Sequence, residues 1–151
     1  MLSAPKSVRF SLADVLRSCL AATSGEGNPL ALPSADKAVV LLADGLGASA
    51  LKASAGHART LAPLLNPGTT ATAGFPTTTA AALASLATGE APGVHGLVGY
   101  TVLDADHDRV VNQLTGWDSM LDPATWQRSR TVFEDAADAG APAFAVGVER
   151  Y

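Results

Sequence analysis

Two features of this sequence could do chemistry: a carboxylate closing an apolar run, and a cluster of hydroxyls opening an alanine-rich one. Asp44 follows Ala38-Val39-Val40-Leu41-Leu42-Ala43, and Thr77-Thr78-Thr79 precede Ala80-Ala81-Ala82-Leu83-Ala84-Ser85-Leu86-Ala87. The Asp is a hard oxygen ligand for a metal ion, and a metal lowers the pKa of a nearby hydroxyl. The first N–H groups of a helix lack partners and its dipole is positive there, which stabilises a phosphate-like anion. Together these are the parts of a metal-assisted phosphoryl-transfer site. Taken singly, each has an ordinary structural use, because Thr and Asp also cap helices.

The elements that must position these residues are legible as patterns. Residues 38–43 form a continuous apolar run between Lys37 and Asp44, as in a central parallel strand buried on both faces. Asp44-Gly45-Leu46-Gly47 then turns into a helix from Ala48, so the carboxylate stands at the strand's C-terminal end, where open α/β sheets place ligands. Thr69 to Phe75 reads as a short second strand stopped by Pro76, and 80–87 as a helix by propensity. Thr88-Gly89 closes that helix, and Pro92-Gly93 is a turn. Gly96–Leu103 and Arg109–Leu114 predict a hairpin around Asp104-Ala105-Asp106-His107-Asp108.

Outside this core, Ser11 opens a helix in which Leu12, Val15, Leu16, Cys19 and Leu20 share one apolar face, with Asp14 placed for a capping-box-like start. Residues 23–33 are a loop by their turn chemistry. Thr131 caps a helix over Val132–Ala139 with Gly140 at its C′ position. Ala143 to Val148 reads as a last buried strand, and the chain ends at Glu149-Arg150-Tyr151 without a covering helix, so it is expected to be the front portion of a longer protein. The order predicts an α/β fold, a mostly parallel sheet with flanking helices and an inserted flap. Residues 1–34 would be a lead-in packed outside the main sheet, and 35–151 the sheet-forming part.

Composition narrows the function classes. The chain has 151 residues, 10 Lys+Arg against 14 Asp+Glu, 48% apolar, 5% aromatic and 16% charged residues. One domain with a core of Ala, Val and Leu fits these figures. Basic residues never cluster, which argues against a nucleic-acid polymer as partner. A lone cysteine, Cys19, excludes an intramolecular disulfide and is expected to be a buried core thiol. No run is long enough to span a bilayer and no signal-type block follows Lys6 and Arg9, so the expected location is the cytoplasm.

The residues go further than the spacing. Val40-Leu41-Leu42-Ala43-Asp44-Gly45-Leu46-Gly47, Phe75-Pro76-Thr77-Thr78-Thr79, and Ala87-Thr88-Gly89-Glu90-Ala91-Pro92-Gly93-Val94-His95-Gly96-Leu97-Val98-Gly99 together resemble the alkaline phosphatase superfamily, specifically its nucleotide pyrophosphatase/phosphodiesterase branch. The resemblance implies an alkaline phosphatase-like α/β fold and two zinc ions. It also implies Asp44 as a metal ligand and Thr79 as both nucleophile and metal ligand. Thr79 would attack phosphorus in line, form a phosphothreonine intermediate and release an alcohol or nucleoside phosphate, with water then hydrolysing the intermediate. The substrate would be a small phosphate ester or nucleotide. Thr78 is then the helix cap.

Three departures stand beside the likeness. Ala80-Ala81-Ala82-Leu83 replaces the polar residues that better-known members carry after the nucleophile. Tyr100 stands where those members place an Asn that holds a phosphate oxygen; its hydroxyl can donate one hydrogen bond there, or Asn112 can substitute from the hairpin. The further Asp and His ligands that the resemblance requires are not found after the nucleophile segment. Asp106-His107 is the only Asp-His dipeptide and reads as a solvated turn. His95 is expected to hold the turn after the helix, His57 to lie in a surface loop, and Trp117 and Trp126 to pack the hairpin and last helix. A phosphomonoesterase or phosphonate hydrolase would use the same Asp44 and Thr79, a sulfatase is disfavoured because no Cys or Ser stands in a Cys/Ser-x-Pro-x-Arg setting, and a non-catalytic α/β binding module would use the threonines only as caps.

Overall fold

The computed structural model describes residues 10–66, 68 and 70–147; expectations for residues 1–9, Thr69 and 148–151 lie outside them. The elements are α1 (Ala13–Thr23), α2 (Ala48–Ala53), a 3-10 turn (Ala62–Leu64), α3 (Thr79–Thr88) and α4 (Pro92–His95). They continue with β1 (Thr101–Asp104), β2 (Arg109–Asn112), α5 (Pro123–Trp126) and α6 (Val132–Asp138). The architecture is mixed, with helices and one two-stranded antiparallel sheet.

The helices form where local chemistry specifies their ends. Thr78 caps α3, its hydroxyl accepting from the Ala81 N–H at 3.4 Å. Gly89 ends it in the left-handed region (φ 68), its N–H bonded to the Ser85 carbonyl at 3.0 Å. Thr131 and Glu134 form a complete capping box on α6. Beyond it, Gly140 (φ 71) and Ala141 return their N–H groups to Ala137 and Ala136, satisfying the last carbonyls. The start of α1 is half a box: the Asp14 carboxylate accepts from the Ser11 N–H at 2.8 Å and from its hydroxyl, while no side chain caps the helix N-terminus.

The core is built around α3. Ala80, Ala81 and Leu86 of α3, Ala22 of α1, and Val132 and Ala136 of α6 are buried, and α3 packs against α1, α4 and α6. Most of these side chains are small, as are the fully buried Ser18 and Thr88, so the helix backbones approach closely without large apolar side chains between them. Cys19 is only half-buried, contrary to its expected place in the core; the tightest face of α1 is Ser18 and Ala22, one step around from the Leu/Val stripe.

The expected parallel sheet does not form among the described residues. Residues 38–43 make no strand pairing, and Val39 and Leu41 are 94% and 91% exposed. A strand buried on both faces needs a hydrogen-bonded neighbour on each edge and a covering layer on each face, and none is present here. The segment expected as the second strand contributes one parallel bridge, Ser11 to Thr72, and pairs with the lead-in rather than with 38–43. Residues 143–147 likewise form no strand, with Phe144 and Val146 almost fully exposed. The hairpin is present but shorter than its pattern, with Thr101 opposite Asn112 and Asp104 opposite Arg109.

Candidate active site

Asp44 lies in a turn where Gly45 takes φ 74, a conformation that favours glycine, and where the Leu46 N–H bonds back to the Ala43 carbonyl. Gly47 then starts α2. Thr79 is the first residue of α3, just after its cap, so the hydroxyl stands beside the unpaired N–H groups of that helix end. Residues 35 positions apart in sequence meet here: Thr79 Oγ1 lies 3.5 Å from Asp44 Oδ2. Asp44 is exposed and Thr79 half-buried.

That separation is long for an O–H···O hydrogen bond, but it suits two ligands of one ion. Zinc binds oxygen at about 2.0–2.2 Å, which puts two oxygens on a tetrahedral ion about 3.3–3.6 Å apart. The donor set is hard and oxygen-based, and Asp44 and Thr79 fit two adjacent positions. Two oxygens would fill half of a tetrahedral site, and among the described residues no cluster of three or more His, Cys, Asp or Glu is placed to hold a metal.

The hydrogen bonds of the other two residues expected at the site lie within the hairpin. Tyr100 is half exposed and its carbonyl accepts from the Gln113 N–H at 2.8 Å. Asn112 turns its side-chain oxygen onto the N–H groups of Leu114 and Thr115, at 2.8 and 3.1 Å. No hydrogen bond links either residue to Asp44 or Thr79 among the described residues. Two surface recesses, of about 570 and 360 Å³, are lined by Leu51, Pro63 and Leu64 and by His107, Trp126 and Arg128 among others; neither is lined by Asp44 or Thr79.

The histidines serve the frame. His95 is buried; its Nδ1 accepts from the Leu97 N–H at 3.1 Å. Nε2 therefore carries the proton and donates to Ser85 Oγ, 3.0 Å away on α3. Burial pushes its pKa below the ordinary 6.5, against the opposing influence of Glu90 and the backbone bond. His107, in the hairpin loop, sets Nδ1 against the buried Asp104 carboxylate at 2.9 Å. Trp117 Nε1 donates to the Gln113 carbonyl at 3.0 Å. With the Gln113 amide oriented to satisfy both its atoms, it donates to the Gly99 carbonyl and accepts from Trp126 Nε1.

Sequence reasoning missed the polar hub of the hairpin. Arg109 Nε donates to Asp104 at 2.9 Å, and its two terminal nitrogens reach both oxygens of Asp118. The Arg109 hydrogen bond, aided by His107, holds Asp104 below the ordinary carboxylate range, and Arg109 with the N–H groups of Met120 and Leu121 does the same for Asp118. Opposite charges at the two loop-closing positions of a hairpin were the available signal.

Compared with known families, the model for type I phosphodiesterase / nucleotide pyrophosphatase matches residues 38–149. Neither the curated proteins nor the solved structures give a significant match.

Proposed function

The chain belongs to the type I phosphodiesterase / nucleotide pyrophosphatase family, and from that premise we propose that it carries the nucleophile and one metal ligand of a zinc-dependent phosphoric ester hydrolase. The family acts on small phosphate esters or nucleotides and is generally metal-dependent. The observation that supports this reading most is the 3.5 Å approach of Thr79 Oγ1 to Asp44 Oδ2.

Thr79 Oγ1 attacks phosphorus, the bond to the leaving alcohol or nucleoside phosphate breaks, and the phosphothreonine is then hydrolysed by water. Asp44 and Thr79 would hold one zinc, which when bound supplies charge stabilisation and a lowered hydroxyl pKa. The first N–H groups of α3 stabilise the phosphoryl oxygens. Tyr100 offers a hydroxyl donor to the substrate, and Asn112, whose oxygen is held in its own turn, offers only its amide N–H groups. A second ion and the rest of the ligands come from outside these two motifs, and Asp44 with Thr79 alone would bind zinc weakly.

Zinc binding, read by competition with a chromophoric chelator, and hydrolysis of bis(p-nitrophenyl) phosphate test this together. Asp44→Asn is expected to weaken zinc binding by about tenfold or more, since loss of even a partner behind a ligand costs that much, and any hydrolysis is expected to vanish in Thr79→Ala. Zinc-dependent hydrolysis undiminished in Thr79→Ala, or zinc binding indifferent to Asp44, overturns the assignment.

A further inference from the structure

The lead-in helix precedes the segment matched by the family, yet it touches the helix that bears Thr79. Arg17 of α1 reaches across with one terminal nitrogen, which donates to the Thr88 carbonyl at 3.1 Å and to Glu90 Oε1 at 2.6 Å. It closes on the C-terminal end of α3, where Thr88 is buried and uses its own hydroxyl to bond the Ala84 carbonyl and the Glu90 N–H. Gly89 makes the clasp possible. A Cβ there would stand 2.0 Å from Arg17 Nε and 2.4 Å from its Cδ, so the side chain lies over the space that any other residue would fill. The second tie is at the opposite end of the lead-in, where the Leu12 N–H bonds the Thr72 carbonyl at 3.0 Å and the Thr72 N–H bonds the Phe10 carbonyl at 2.9 Å. Thr72 lies just ahead of the Phe75-Pro76-Thr77-Thr78-Thr79 segment, so the lead-in grips the chain on both sides of Thr79.

We propose that Arg17 is a positioning residue for Thr79: with the Ser11–Thr72 bridge it clamps α3 at one end and the strand-like approach to it at the other, fixing where the nucleophile's helix begins. The clamp's value to catalysis rests on the assignment of Thr79 above, but its existence is tested without any turnover.

Amide hydrogen exchange on the full 151-residue chain provides that test, comparing the wild type with Arg17→Ala, with Glu90→Ala, which removes the carboxylate that Arg17 grips, and with the double variant. The amides of Ala82 and Leu83, near the Thr79 end of α3, are expected to exchange about threefold to tenfold faster in each single variant. That is the range for a partly exposed charge-assisted bond. The double variant is expected to be no faster than the faster single one, because both open the same clasp. A change confined to residues 87–90 would make Arg17 a local cap and overturn the proposal. So would additive effects, no effect, or an equal rise in α6, which would report only global destabilisation. Failure of the hydrolysis assay leaves this result untouched, so the two assignments fall separately.

Discussion

Replacing Ser85 by Ala removes the acceptor of a proton that has nowhere else to go. The Ser85 Oγ to His95 Nε2 distance is 3.0 Å, and the two residues are 5% and 2% exposed. Because Nδ1 is occupied by the Leu97 N–H, the imidazole cannot switch tautomer to satisfy itself. A buried N–H left without an acceptor costs about 1–3 kcal/mol, which for a chain of this size lowers Tm by about 2–12 °C. The same geometry makes stability depend on pH. Burial disfavours the imidazolium, so native His95 takes up a proton less readily than the unfolded chain does at its ordinary value of 6.5; an added Nδ1–H would also face the Leu97 N–H. Its contribution is complete above pH 6.5 and is lost as pH falls from there through the lower native value. Across that window the slope is at most about 1.4 kcal/mol per pH unit. Urea unfolding at pH 5.0, 5.5, 6.0, 6.5 and 7.5 measures it, with His95→Gln as the non-titrating control. An unchanged midpoint for Ser85→Ala at pH 7.5, or an equal slope in wild type and His95→Gln, would refute the reasoning.

Two further outcomes are expected. Thr131→Ala removes the hydroxyl that accepts from the Glu134 N–H, one half of the α6 capping box, and leaves the Thr131 N–H bond to the Glu134 carboxylate; it should cost about 0.5–2 kcal/mol, seen as a lower urea midpoint, and an unchanged midpoint would mean that the hydroxyl adds nothing to α6. Arg109→Ala should make the fold more acid-sensitive. The lowered Asp104 and Asp118 carboxyls give stability that is present above their unfolded values and lost as pH falls through their native ones. Without Arg109 that contribution is missing already at neutral pH, so the fold enters the acid range with less stability in reserve and the circular-dichroism acid transition moves upward; a coincident curve would count against it.

What could be read from the sequence divides by the range of the interaction. The ends of α3 and α6 were legible because Thr78, Gly89, Thr131 and Gly140 act within four residues of themselves. The hairpin was legible because its two strands sit either side of a four-residue loop, 105–108. Residues 38–43 have a strand's composition, but pairing is a property of two segments, and composition names only one of them. The Asp44–Thr79 approach was expected from motif order, while the distance itself depends on how the 45–78 connection folds. Asn112 shows local chemistry that residue type alone leaves open: a side-chain amide two residues before a free backbone N–H is drawn to its own turn through its oxygen. The Arg17 clasp joins residues more than 70 positions apart, and nothing periodic marks it.

The open apolar run at 38–43 also governs how this protein behaves in concentrated solution. Its backbone N–H and C=O groups from Ala38 to Leu42 bond to no other described residue, and its side chains combine β-branched and aliphatic types with no charge and no proline. Such a stretch is a template on which a like stretch from another molecule can add as a strand. A net charge of −4 spread over 151 residues offers only weak repulsion, further screened at physiological salt. Colloidal stability should therefore fall with protein concentration and with added salt, and a charge placed at Val39 or Leu41, both already facing water, should restore it without disturbing α3.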